Sequence, residues 1–168
     1  MPFMTLIRSI NRILDRLLRW LVAAAFAIMI VIVFVQVLNR NVFAVSLVWT
    51  LDVAQMAFSW CIFIGAALAL RWNEHYTLDL IPADWKLANS LISILSHAAI
   101  SAVVGVLIYN GWILSDMGWT RVASGLEIPE FWFFLPIPLG AMAMACFLAE
   151  LIPDDLKRIR DLHAGGRS

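Results

Sequence analysis

Charged side chains are scarce in this sequence, and those present cancel: only 14% of residues are Asp, Glu, Lys or Arg, twelve of each sign, for a formal net charge of zero. A nucleic-acid binder needs a basic face able to neutralise phosphates, so that class is excluded. Cysteine is limited to Cys61 and Cys146, both inside apolar stretches, where a thiol acts as a small buried hydrophobe rather than as part of a disulfide framework. There is no phosphate loop, nucleophile elbow or HExxH, which leaves enzymatic readings without a site. No internal repeat and no low-complexity tract interrupts the chain.

Apolar residues are what the sequence has in excess. Hydrophobic types make up 62% of it, and the mean hydropathy of +0.86 is above what a soluble domain can hide in one core. A helix crossing a hydrocarbon layer of about 30 Å needs roughly 20 apolar residues. The 168 residues therefore have room for four crossings and little else. Four stretches satisfy the requirement: 20–38, 48–70, 87–114 and 131–152. The first, WLVAAAFAIMIVIVFVQVL, exceeds the apolar core of a secretory signal, about 7–15 residues, and is expected to be retained. The expected fold is an all-α integral membrane domain over 1–168, with an amphipathic helical arm at 1–19 and a tail at 153–168.

In the arm, Arg8, Arg12, Arg16 and Arg19 recur at helical spacing, with Phe3, Leu6, Ile10, Ile13, Leu14 and Leu17 on the other side. Such a helix either lies in the headgroup plane, its arginines paired with anionic lipid, or extends the first span. Threading the spans alternately puts those four arginines on one side with Arg71, Lys86, Lys157, Arg158, Arg160 and Arg167, leaving Arg40 and Arg121 opposite. The positive-inside rule then places both termini in the cytoplasm. Trp49, Trp72, Trp85, Trp112, Trp119 and Trp132 fall at or near span ends, as an aromatic belt at headgroup depth requires.

Ionisable groups at membrane depth are costly and need partners. Asp52 lies one turn into the second span, and Arg40, across a short loop, is its expected ion-pair partner. His97, mid-span among Ser90, Ser93, Ser96 and Ser101, reads as a hydrogen-bonded packing residue; Gln36, Gln55 and Asn110 read the same way. Close helix contacts are expected where small residues gather: Gly65, Ala66, Ala67 and Ala69, and Ala141, Ala145 and Ala149. The segment ALRWNEHYTLDL brings Arg71, Glu74, His75 and Asp79 together at a span end. His75 and Asp79 could share a helix face, but a metal site needs a third ligand. The preferred reading is a boundary, with Arg71 and Trp72 anchoring the helix and His75 and Asp79 ordering the loop. The outer connection SDMGWTRVASGLEIPEFW carries Gly118, Gly125 and Pro129 as turn residues and Asp116, Glu127 and Glu130 as acidic groups; Pro136 and Pro138 follow at the start of the fourth span.

These signals, in this order, resemble the small membrane subunit of tripartite ATP-independent periplasmic (TRAP) transporters, the DctQ-like family. The resemblance covers nearly the whole chain: the basic arm; LNRNVF with Arg40; WTLDVAQMAFSWCIFIGAALALRWNEHYTLDL with Trp49, Asp52, Gly65, Arg71, His75 and Asp79; and SGLEIPEFWFFLPIPLG with Pro129, Trp132, Pro136 and Gly140. It departs at Asp52, where the family often has Glu. The resemblance implies a multi-pass subunit in a bacterial inner membrane, without catalytic residue, metal or cofactor. It would brace a large permease during ion-gradient-driven symport of an organic acid that a periplasmic binding protein delivers. Asp116, Glu127 and Glu130 would be candidates for docking that binding protein.

A haem-carrying or other membrane anchor of an electron-transfer complex is the alternative, resting on His75 and His97 in a four-helix bundle. The two histidines are expected at different depths, which weakens it. The purified protein is predicted to show no Soret band in its absorption spectrum; a haem band would favour the alternative.

Overall fold

The computed structural model describes the backbone of residues 2–43, 47–72 and 86–165, and side chains within 8–43, 47–72 and 95–150 except His97. The described residues form helices α1 (Pro2–Val42), α2 (Val48–Trp72), α3 (Lys86–Met117), α4 (Phe131–Phe134) and α5 (Pro136–Gly165), with a 3-10 turn at Gly118–Thr120. Four helical segments are long and apolar enough to cross a membrane: Arg8–Val42, Val48–Trp72, Ala98–Thr120 and Phe131–Glu150. Helices satisfy their own backbone, which is what a segment surrounded by lipid must do.

The basic arm is not a separate helix lying across the first span. It runs on without a break, so α1 is one helix of 41 residues, about 60 Å at the rise of an α-helix and twice the hydrocarbon thickness. Its inward stripe, Asn11, Leu14, Asp15, Leu18, Val22 and Ala25, repeats at steps of three and four. Lower residues of that stripe join α2 and α5 in the main core, where Leu18, Ile64, Ala67, Ala143 and Phe147 are buried, with Leu14, Val22, Trp60, Leu68 and Met144 around them.

Helix α5 is the centre of the bundle. It packs against α2 on one side and α3 on the other, while α1 lies mainly on α2. Nearly half of the most apolar stretch of the last span (44%) is buried, against 6% for the first, whose large apolar side chains face outward as lipid requires. The fourth span starts in two pieces, because α4 ends at Phe134 and Pro136 and Pro138 open α5. Proline is tolerated in a helix's first turn, where no intrahelical donor is needed.

The small-residue contacts are not all where sequence spacing put them. A side-chain carbon at Gly65 would meet no atom within 4 Å, whereas one at Gly140 would lie 2.6 Å from the backbone oxygen of Phe63. Gly140 is thus the glycine that lets α5 approach α2. Nearby, Ala143 is buried in the same core as Ala67 and Ala141 is buried as well, while Ala149, Ala66 and Ala69 are exposed. Gly140→Ala is predicted to destabilise the bundle by about 1–3 kcal/mol through forced displacement of backbone. Gly65→Ala should be neutral or stabilising by up to about 1 kcal/mol, from helix propensity. Thermal unfolding of both variants in detergent checks the contrast; equal loss in both would refute it.

Candidate functional site

Among the described residues, two clusters of polar contacts join the helices, one on each side of the bundle. One lies near the start of the first candidate span, in the last turn of α2 and at the end of the last candidate span. Arg71, in the last turn of α2, does not point away into the interface: its guanidinium donates to the backbone oxygen of Asn11 and lies 5.0 Å over the Phe147 ring. The Asn11 side chain, 1% exposed, donates through Nδ2 to Cys146 O at 3.1 Å and to Glu150 Oε2 at 2.6 Å. Glu150 Oε1 is 3.8 Å from Arg8 Nε. Asn11 and Arg71 thereby tie three helices together. Beside this cluster Arg19 pairs with Asp15 and stacks over Trp72 at 4.9 Å, while Arg12 and Arg16 are exposed.

Sequence alone does not single out Asn11 and Glu150. A signal existed: Asn11 falls on the same face as Leu14 and Leu18, where a polar group needs a specific partner. His75 and Asp79 lie outside the described residues, as does Glu74. Among the described residues no three His, Cys, Asp or Glu side chains converge as metal ligands would.

At the opposite end, α2 begins with a buried Thr50 whose hydroxyl donates to Leu47 O at 2.6 Å. Asp52 does not pair with Arg40, which is exposed in the last turn of α1. Its Oδ2 instead accepts the backbone N–H groups of Gly125 at 2.8 Å and Leu126 at 3.1 Å. The physical reason is supply. The connection between α3 and α4 turns back on itself, with Ala123 N–H donating to Ile128 O and Glu130 N–H to Arg121 O, each at 2.9 Å, around a Val122–Pro129 bridge. The tip amides at 125 and 126 are left to find an acceptor elsewhere, and Asp52 provides one. Gly125 permits the approach, because a side-chain carbon there would sit 2.7 Å from the Trp49 backbone.

Glu127 closes that tip at φ 52°, a left-handed conformation uncommon for a residue with a side chain. It is exposed, as is Asp116, whereas Glu130 is partly covered and faces Arg121 at 3.8 Å. Exposed ion pairs of this kind add little stability. Trp119 stacks on Phe131 with ring centres 4.4 Å apart, and Phe131 meets Trp132 edge-on at 5.5 Å.

Behind the loop, two side chains repair the backbone at the proline break. Pro136 has no N–H to offer the Trp132 carbonyl four residues earlier, and the Trp60 indole N–H from α2 donates to it at 3.3 Å. Ser59 Oγ donates to Phe133 O at 2.8 Å. Neither residue was picked out by sequence, although a proline four positions after Trp132 signals a carbonyl in need of a donor.

The arrangement is a strut clasped at both ends, and comparison with known proteins gives it a family. The family model described as "Tripartite ATP-independent periplasmic transporters, DctQ component" matches residues 29–158. The chain belongs to the DctQ family. Among its relatives is the sialic acid TRAP transporter permease protein SiaT of Haemophilus influenzae, 28% identical over 138 residues, covering 78% of this chain and 21% of SiaT. A TRAP transporter small permease protein of the same species is 21% identical over 149 residues, covering 88% of this chain and 92% of that protein. The C4-dicarboxylate TRAP transporter small permease protein DctQ of Vibrio cholerae is 20% identical over 132 residues, covering 75% of this chain and 56% of its own length. The DctQ-type chain thus spans about a fifth of SiaT but almost all of the second relative. With four helices able to cross a bilayer, it is a multi-pass TRAP transporter component of the inner membrane.

Removing the Asp52 acceptor is predicted to loosen the outer loop. Asp52→Ala leaves two backbone donors without a partner, a cost of about 1–3 kcal/mol, and should accelerate amide hydrogen exchange at Gly125 and Leu126. Asp52→Asn keeps one acceptor oxygen and should fall in between. Unchanged exchange in Asp52→Ala would exclude the contact.

Proposed function

We propose that this subunit is a non-catalytic scaffold that holds the stationary part of a large TRAP permease, while that permease carries an organic acid inward on an ion gradient. The observation that carries this reading is the placement of polarity. Among the described residues the buried polar side chains are Asn11, Asp15, Thr50 and Ser115, which lie toward the helix ends rather than at mid-membrane. An ion-coupled transport site would need polar groups at mid-depth. Clasps at both ends around an apolar middle instead suit a body that must not move.

SiaT supports the partnership: a segment similar to this chain is there part of one polypeptide about five times the matched length. We therefore place a large permease beside this subunit, with a periplasmic binding protein as the source of solute. The names of two relatives mention sialic acid and C4-dicarboxylate, both carboxylates. An organic acid is the class carried over. With both termini cytoplasmic, as the Lys and Arg distribution favours, the Asp52-anchored loop faces the periplasm. Asp116 and Glu127, exposed there, are rim charges suited to speeding encounter with a soluble binding protein.

Three of the interface candidates, Arg71, His75 and Asp79, then belong to the inner side, where Arg71 fixes the helices that the permease would meet. Reconstituted alone, the subunit is predicted neither to bind nor to take up an organic acid; with a large permease, a binding protein and an ion gradient, uptake appears. Arg71→Ala removes a charge-assisted hydrogen bond of about 1.5–3 kcal/mol and should cut co-purified permease roughly tenfold or more. His75→Ala and Asp79→Ala should act in the same direction. Uptake by the isolated subunit, or wild-type assembly and uptake in all three variants, would defeat the proposal.

A further inference from the structure

Along α1, Arg12, Asp15, Arg16 and Arg19 occupy successive turns of one face and, with Trp20 and Ala23, line a cavity of about 560 Å³. Asp15 sets this face apart from a simple basic stripe. Its side chain is only 6% exposed, and its Oδ2 is held by Arg19. Its Oδ1 is buried with no hydrogen-bond partner, the one such side-chain oxygen or nitrogen among the described residues. A half-paired buried carboxylate is costly and attracts a cation strongly in a medium of low polarity. Arg19 is already committed, being stacked on Trp72 as well. Arg12 and Arg16 are exposed at the same cavity and offer donors to an anion.

We propose that this cavity binds the headgroup of a zwitterionic aminophospholipid, a phosphodiester carrying a primary ammonium, of which phosphatidylethanolamine is the type. The two charges of the ligand match the two kinds of group present. Guanidinium forks at Arg12 and Arg16 suit the phosphate. The carboxylate of Asp15 suits the ammonium. Phosphatidylglycerol carries the same phosphodiester but offers no cation to Asp15, so only the ammonium distinguishes the two lipids at this site. The cavity also grades along the helix, from charged residues at 12–19 to Trp20 and Ala23 at the start of the apolar span. That gradient fits an amphiphile with its acyl chains beside α1, rather than a free phosphate ester. The proposal rests on the membrane location of the subunit and goes beyond the scaffold reading, since it makes headgroup identity a determinant of how α1 is held.

The test is native mass spectrometry of the full-length subunit, purified in detergent and offered equimolar phosphatidylethanolamine and phosphatidylglycerol. The wild type should retain phosphatidylethanolamine about fivefold over phosphatidylglycerol. Asp15→Asn, which keeps the side-chain volume, should bring the ratio to about one, and the double variant Arg12→Gln with Arg16→Gln should reduce both adducts. Equal or greater retention of phosphatidylglycerol by the wild type would overturn the proposal. So would an unchanged ratio in Asp15→Asn. If Asp15→Asn fails to fold, the double variant decides, its substitutions being exposed: an undiminished phosphatidylethanolamine adduct would refute the site. Displacement of the lipid by excess inorganic phosphate, which carries no ammonium, would identify a free phosphate ligand and likewise overturn the proposal. Co-purification of a large permease, measured on the same variants, reports separately on the scaffold reading.

Discussion

In a bilayer, a backbone N–H or C=O that leaves its helix has no water to turn to, and the architecture of this subunit follows from where such groups are and what reaches them. Pro136 removes the donor that Trp132 O would have used, and Trp60 supplies another from the neighbouring helix. The loop tip strands two amides, and Asp52 accepts both. At the other end the Asn11 side chain reaches Cys146 O, and Arg71 reaches Asn11 O, giving a further donor to carbonyls that lie inside continuous helices. Each contact crosses from one helix or loop to another. Satisfying the backbone and fixing the helices are therefore the same event.

That coupling explains how a bundle with so little buried surface holds a shape. Lipid tails are as apolar as leucine side chains, so burying apolar surface between helices gains little over leaving it in the membrane. Close approach contributes where side chains are small, as at Gly140 against Phe63. The polar clasps supply direction and register. Between them the helices pack around Ile64, Ala67, Ala143 and Phe147. The result is a bundle whose large apolar side chains lie mostly on its outside.

Much of the fold was legible in the sequence, because length and hydropathy act residue by residue. Four apolar stretches gave four helices, and the tryptophans named at span ends are exposed where they can be seen: Trp49, Trp72, Trp112, Trp119 and Trp132. Asp52 and Arg71 were recognisable as expensive groups in need of partners. Their partners were not. Asp52 was assigned to Arg40 because charge seeks charge, but its contacts are peptide N–H groups more than 70 positions away. Arg71 reads from sequence as an anchor at the end of the span; which groups hold it, an aromatic ring and a helix carbonyl, is seen only in the fold.

Membership of the DctQ family, the number of spans and the all-helical architecture were determined by the sequence itself, since motif order and apolar run length are properties of the chain. The continuity of the arm with the first span, the central position of α5 and the residues that meet at each end were decided by tertiary structure. Helical periodicity defines a face but not the neighbour that occupies it. When solvent and protein interior are equally apolar, no hydropathy difference marks which face meets lipid and which meets another helix, so only packing and the pairing of polar groups can choose.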